Sequence, residues 1–387
     1  MATASQSAHL PEPSAEALAL SDDLTRLIAA EIGTSGNWIS FARYMELALY
    51  APGLGYYMAG ARKLGRDGDF VTAPEISALF GRTLARQVQD LSRDGLSDVL
   101  EIGAGSGALA ADLLGELEKL GSLPRRYLIL ELSPDLRARS RDTLAARVPH
   151  LLERVAWLNG LPPAFEGVVI GNEVLDAMPA RVFQRDGKRI VEMGVSVANG
   201  KFEWAPQPSG TPAAIDGSCF PVDGYRTEFQ HAACGFVRSL GAALARGVAL
   251  FIDYGFPRGE YYHPQRSAGT LMCHYRHRAH DDPFFLPGLQ DITTHVNFSA
   301  IAQAGGDTGL ELLGYASQSQ FLVGCGITDL LAETPAENVA TYAPLAAQAQ
   351  KLLSPAEMGE LFKVIAFGKG MSRPLRGFGP ADRSGAL

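Results

Sequence analysis

The chain has 387 residues, 47% of them apolar and 20% charged, with a formal net charge of −8. That profile is of a soluble globular protein, long enough for one large core plus an appended or inserted second unit. The acidic balance argues against a nucleic-acid binder, and no apolar run approaches the ~20 residues needed for insertion across a membrane. Residues 1–18, rich in Ala, Ser and Pro, read as a flexible tail, and 19–97 as an N-terminal helical or lid region. Within it, helical spacing predicts helices over 22–32, 41–49 and 77–91, separated by the Gly-rich, aromatic stretch "YAPGLGYYMAGARKLGRDGDFVTAPEIS". Residues 98–257 then alternate. "DVLEIG" predicts a strand and 106–120 a helix; "RYLILEL" a strand and 135–146 a helix that Pro134 can start; a short strand near 154–157 precedes "GVVIGNE". Such alternation implies a parallel sheet covered by helices on both faces, an α/β core. Asp186-Gly187, between two alternating runs, predicts a hairpin. A helix over 225–246 and the buried strand "GVALFIDYG" follow. Residues 258–300, Pro-, His- and Gly-rich, read as an inserted substrate loop; 301–370 complete the core with a last strand at 361–368, and 371–387 form a second flexible tail.

The four cysteines, Cys219, Cys234, Cys273 and Cys325, are spread without a CxxC pair and read as reduced thiols. "CHYRHRAHDDP" gathers Cys273, His274, His277 and His280 at spacings that match no zinc pattern, so no metal site is expected. A mobile, partly basic substrate loop is the better reading.

"VLEIGAGSGALA" lies between the first core strand and its helix. Gly103, Gly105 and Gly107 allow a tight turn and close backbone approach, with the exposed N–H groups of the helix start facing a ligand. A dinucleotide fold would want GxGxxG there, with pyrophosphate on the helix N-terminus. This chain places an acid, Glu101, inside the strand end. A carboxylate there would repel pyrophosphate and suits a positively charged ligand such as S-adenosyl-L-methionine. Glu131, at the end of the next strand, can accept hydrogen bonds from two ribose hydroxyls. The turn, the strand before it and the two acids together point to a class I methyltransferase core of Rossmann-like form.

The strings "YMELALYAPGLGYY", "GDFVTAPEISALFG", "LEIGAGSG", "GNEVLDAMP", "FIDYG", "GLQDITTHVNF" and "EMGELFKVIAF" resemble the MidA family, in order, from about residue 22 to 370. These are S-adenosyl-L-methionine-dependent methyltransferases related to the mitochondrial complex I assembly factor. The resemblance implies protein arginine methylation, symmetric ω-N dimethylation in the mitochondrial member, on the 49 kDa-type subunit of respiratory complex I. It also implies an extra, mostly helical region over the cofactor cleft. The first twenty residues lack a basic start and carry Glu12, Glu16 and no arginine, which predicts a bacterial, cytoplasmic member rather than one bound for the mitochondrial matrix. The alternative from another class is a non-catalytic complex I assembly chaperone that keeps the methyltransferase fold. Small-residue stretches such as "GAALARG" fit packing within the domain or a homodimer interface, and the sequence does not choose.

Ligands of open α/β sheets bind at the carboxyl ends of the strands. There "GVVIGNEVLDAMP" surfaces with Asn172, Glu173 and Asp176. Carboxylates can hold a guanidinium fork bidentately, keep its charge away from the attacking nitrogen, and take up the proton released. Glu173 and Asp176 are the candidate catalytic acids; Asp176 as a cap of the following helix is the plainer reading. Asn172 either contacts the cofactor or holds the turn. "GDFVTAPEIS" offers Asp69, Thr72 and Glu75, which can fold over the cofactor, with Thr72 in contact, or form a capping box, and the two can hold together. "QDITTHVNF" places Asp291 and His295 four apart, and His295 is the third catalytic candidate. Tyr56 and Tyr57 can stack on a guanidinium or pack against the protein.

Overall fold

A computed structural model describes residues 10–60, 71–207, 215–371 and 373–387. The chain forms two compact units, one of residues 71–178, 230–263 and 295–387, the other of residues 1–70, 179–229 and 264–294.

The first unit is built on seven main strands: β1 (Asp98–Ile102), β2 (Arg126–Leu130), β3 (Val155–Leu158), β4 (Phe165–Asn172), β5 (Leu244–Phe256), β6 (Glu311–Ser317) and β7 (Phe362–Lys369). Their order is β6-β7-β5-β4-β1-β2-β3. The stretch from β5 to β3 is parallel, whereas β7 runs antiparallel to both β5 and β6. Successive side chains of a strand point to opposite faces, and here both faces are dry. Val99, Tyr127, Ile129, Val168, Ile170, Leu250 and Ile252 enter one core with helices α1 (Ala78–Arg93), α2 (Ala108–Lys119) and α3 (Pro134–Arg147). Leu100, Leu128, Leu130, Val169, Ala249 and Phe251 enter the other, under α4 (His231–Ala243) and α5 (Phe298–Gly306). Pro134 opens α3 and Ser133 caps it, its Oγ accepting from Leu136 N at 3.3 Å. This is the mostly parallel, doubly covered sheet expected of a class I methyltransferase.

The second unit has a core of Leu24, Ile28, Ile32, Phe41, Tyr44 and Val195. Its helices, Ala15–Thr34 and Phe41–Tyr50, accompany two antiparallel sheets. One runs Ile39–Ser40, Arg189–Ala198, Arg181–Asp186, Arg226–Phe229, with Lys201–Pro206 also on Arg189–Ala198. The other runs Arg278–His280, Met272–Tyr275, Asp291–Thr293. The expected hairpin forms, with Asp186 opposite Arg189 and Gly187 at φ 57°.

Several expectations are corrected. The region beyond the core is not mostly helical among the described residues, because its strands pair across long stretches of sequence. Residues 179–229 belong to this second unit rather than to a continuous core over 98–257, and 71–97 belong to the core unit. The helix expected over 225–246 is a strand at Arg226–Phe229, then α4, then β5 from Leu244. The segment expected to be a mobile loop is a hairpin, Cys273 opposite His280, closed by Arg276 and His277 at φ 48° and 60°. The first helix starts at Ala15, inside the expected tail; residues 1–9 lie outside the described residues. Residues 373–387 are no free tail: Leu375 and Phe378 are buried in the core. In the small-residue stretch Gly241 of α4 lies against Thr308, while Ala242 and Ala245 are exposed.

Candidate active site

The glycine turn follows β1, with Gly103, Gly105 and Gly107 at φ 69°, 55° and 83°. A side chain at Gly107 would put its Cβ 2.8 Å from Ser140 Cα, so the turn lies tight against α3. Glu131, one residue beyond β2, braces it: Gly105 N donates to Oε2 at 3.1 Å and Ser133 N to Oε1 at 2.9 Å. With the Leu132 N–H also directed at it, the carboxylate still keeps lone-pair capacity for a ligand. Burial pushes the Glu131 carboxyl up, against the pull of those N–H groups. Beside it Leu132 is 65% exposed, an open apolar shelf next to the acid. Glu101 is turned inward, taking the Tyr127 hydroxyl at 2.8 Å, and burial raises its pKa to about 7. Thr72 starts the short helix Ala73–Ile76 through its backbone, with no side-chain cap, and Glu75 accepts instead from Ser106 Oγ in the glycine turn. The capping box therefore does not form. Asp69 lies outside the described residues.

The second half of the site grows from β4 and β5. Their last rungs pair Gly171 with Phe251 and Asn172 with Ile252, and Glu173 N still donates to Ile252 O at 2.8 Å. Then the chain leaves the sheet. Glu173 sits at φ 53°, a left-handed conformation costing a non-glycine residue about 1–2 kcal/mol. No helix follows, so Asp176 caps none; residues 173–178 are turns. Val174, Leu175 and Asp176 instead direct their N–H groups to Asp253 Oδ2, at 3.2, 2.9 and 3.3 Å. The turn also touches the glycine turn, Val174 Cγ2 lying 3.1 Å from where a Cβ on Gly103 would be.

Asp176 is buried, and the Tyr254 hydroxyl donates to its Oδ2 at 2.7 Å. Its Oδ1 and the Asn172 Oδ1 are buried with no hydrogen-bond partner among the described residues. Asn172 Nδ2 donates to Glu173 Oε1 at 3.2 Å. Burial foremost raises the Asp176 pKa to about 6, with the Tyr254 bond pulling the other way. Burial, then repulsion from Asp176 and Glu173, pushes Asp253 well above the usual carboxylate range. His295 lies against this group, edge-on to Tyr254 with ring centres 5.0 Å apart and stacked on Phe256 at 5.3 Å. Its backbone carbonyl accepts from Gln230 Nε2 at 2.6 Å. A neighbouring cleft of about 310 Å³ is lined by Phe256, Glu260, Tyr315, Glu360, Lys363 and Arg383.

Thr72, Gly103, Gly105, Gly107, Glu131, Asn172, Glu173, Asp176 and His295 thus all belong to one unit. Asp291 does not: no helix joins it to His295, and its Oδ1 accepts from Tyr57 in the other unit at 2.9 Å. There Tyr57 also stacks on Tyr50 and Tyr56 is buried, so both tyrosines pack. Asp253 and Tyr254 escaped the sequence reading. Their signal was present, since "ALFIDYG" ends an apolar strand in an acid just as "VVIGNE" does.

A sulfonium cofactor fits this constellation. The glycine turn leaves no side chain in the way, Glu131 offers carboxylate oxygens suited to an unphosphorylated ribose, and the turn carrying the buried acceptors touches the glycine turn. Residues 79–316 match the family model described as "Putative S-adenosyl-L-methionine-dependent methyltransferase". The chain belongs to this family. Its cofactor is S-adenosyl-L-methionine. Membership of the MidA branch follows from the curated relatives. "Protein arginine methyltransferase NDUFAF7, mitochondrial" from Mus musculus is 30% identical, over 85% of this chain and 80% of its own. The protein of that name from Danio rerio is 27% identical over 90% and 87%. A solved protein from Burkholderia thailandensis, bound to S-adenosyl-homocysteine, is 53% identical with a TM-score of 0.94, covering 98% of this chain and 100% of its own. Among the described residues, no helix is long and apolar enough to cross a membrane.

Proposed function

We propose that this methyltransferase acts on arginine in a protein partner. The observation carrying this reading is the acceptor-rich turn after β4, where Asp176 Oδ1 and Asn172 Oδ1 are buried without hydrogen-bond partners among the described residues and Glu173 stands beside them. A buried acceptor left unpaired is costly. A guanidinium brings up to five N–H donors and a charge that neutralises crowded carboxylates. The names of the mouse and zebrafish relatives agree with it.

In this reading Glu131 would hold the ribose hydroxyls, the glycine turn, Asn172 and Thr72 would supply further cofactor contacts, and Glu101, buried and bonded to Tyr127, would complete the strand end. The cofactor supplies a methyl group on a sulfonium. Glu173 and Asp176 grip the guanidinium and draw its charge away from the nitrogen that attacks. An N–C bond forms as the C–S bond breaks, its electron pair staying on sulfur, and the nitrogen's proton passes to a carboxylate. Asp176, its pKa raised toward 6, is the better proton acceptor of the usual carboxylates. His295, against Tyr254, keeps that pair in place. The proposed partner is the 49 kDa-type subunit of respiratory complex I, the product symmetric dimethylarginine, and the location the bacterial cytoplasm.

The test is incubation of the purified protein with that subunit and isotopically labelled S-adenosyl-L-methionine, with methylated residues read by mass spectrometry. Label on arginine is the expected result, and Glu173→Gln should nearly stop it while calorimetry shows cofactor affinity kept within about threefold, since charge on the acceptor side is lost and cofactor contacts are not. Label absent from arginine, or unchanged turnover in the variant, would sink this reading.

A further inference from the structure

Asp253 does something no ordinary strand residue does. It lies on β5 as a buried acid, next to two others, in a place where a carboxylate is costly. Its oxygens are nevertheless filled. Oδ2 receives three consecutive N–H groups, of Val174, Leu175 and Asp176, and Oδ1 receives Tyr254 N at 2.9 Å. Three successive N–H groups converging on one oxygen can occur only if the chain turns sharply. The left-handed Glu173, at φ 53°, is where it turns. The ladder between β4 and β5 ends at the bond from Glu173 N to Ile252 O, one residue before Asp253 takes over. The strand pair and the turn are therefore held by adjacent residues of β5.

We propose that Asp253 is the positioning residue of the site, its side chain holding the turn that presents Asn172, Glu173 and Asp176. Tyr254 completes the arrangement from the next position, its backbone N–H bonding Asp253 and its hydroxyl bonding Asp176. Two neighbouring residues of one strand thus fix the start and the end of the acidic turn. Asp253 need not touch substrate: removing its side chain frees three N–H groups and leaves a strained residue held through its bonds to Ile252 and Asn172, with Tyr254 still on Asp176. The effect on methyl transfer rests on the reading given above; the effect on the turn does not.

The experiment is hydrogen–deuterium exchange of the whole chain with S-adenosyl-homocysteine bound, for wild type, Asp253→Ala and Asp253→Asn, with calorimetry of S-adenosyl-homocysteine alongside. In Asp253→Ala the amides of residues 174–176 should exchange about tenfold faster or more, with β4 and β5 unchanged, because local opening follows the loss of acceptors. Asp253→Asn keeps one acceptor oxygen and should restore much of the protection. Affinity for S-adenosyl-homocysteine should stay within about threefold, while methyl transfer falls about a hundredfold in Asp253→Ala, the scale of a misplaced reacting group. Unchanged exchange at 174–176 overturns the proposal. So does faster exchange spread equally through β4 and β5, or no difference between the two variants. A wild-type protein that transfers no methyl to arginine removes the functional reading and leaves the exchange result standing.

Discussion

Asp176 and Glu101 carry raised pKa values for the same first reason, burial, but the consequences run in different assays. Asp176 must be ionised to grip a cation and take its proton. With a pKa of about 6, transfer should fall roughly tenfold per pH unit below that value, and Asp176→Asn should abolish the dependence along with most of the rate. A kcat/KM profile flat down to pH 5 would remove Asp176 as the proton acceptor. For Glu101 the folded pKa, about 7, lies above the ordinary 4.5. Between those values the folded chain keeps a proton that the unfolded chain has released. The stability it contributes is therefore full below about 4.5 and is lost as pH rises toward 7. Glu101→Gln, still able to accept from Tyr127, escapes that loss. Urea denaturation should show the variant gaining on wild type from pH 5 to pH 8, by up to about 3 kcal/mol. A gain larger at pH 5 would mean that the carboxyl is ionised when folded.

The glycine turn and its strands show what local sequence carries and what it does not. β1, β2, β4 and β5 were legible because strands buried on both faces read as apolar runs ended by turn residues. The strand Arg226–Phe229 was not. The helical pattern of α4 extends back through it, and its partner, Arg181–Asp186, lies some forty residues earlier, so only tertiary pairing makes it a strand. Within the turn, the sequence marks three glycines alike, while the structure separates them. Gly107→Ala meets Ser140 Cα at 2.8 Å and its φ is 83°, so it should cost about 2–4 kcal/mol of stability as well as cofactor affinity. Gly105→Ala, at φ 55°, should cost only about 1–2 kcal/mol yet still weaken the cofactor, because the added Cβ crowds a turn whose backbone must come close to the ligand. Denaturation and calorimetry on the pair distinguish the two, and equal stability losses would refute the separation.

For the whole chain, the candidate site was more legible than the division into units. Glu173, Asp176 and Glu131 follow apolar runs directly, so strand ends announced them. That 179–229 and 264–294 leave the core unit, and that 373–387 return to it, depends on contacts between segments hundreds of residues apart, which no local pattern encodes. The C-terminal stretch is the clearest case. "SRPLRGFGPADRSGAL" reads as a polar, Gly- and Pro-rich tail. Yet Arg376 makes two bonds to the Asp90 carboxylate, at 2.7 and 2.8 Å, and Gly377 N donates to Gln87 Oε1 at 3.1 Å on α1. Phe378 is 3% exposed, its ring 5.2 Å from that of Phe321 and tight against Gly314 of β6. A tail residue could be truncated at almost no cost, within about 0.5 kcal/mol. A buried phenylalanine cannot: Phe378→Ala should lose about 3–5 kcal/mol in urea denaturation, since β6 and α1 cannot collapse onto the space it leaves. Arg376→Ala should lose less, because the buried Asp90 carboxylate keeps Arg93 at 3.5 Å as a second cation. A near-neutral Phe378→Ala would return the last seventeen residues to the status of a tail, and the core unit would then end with β7.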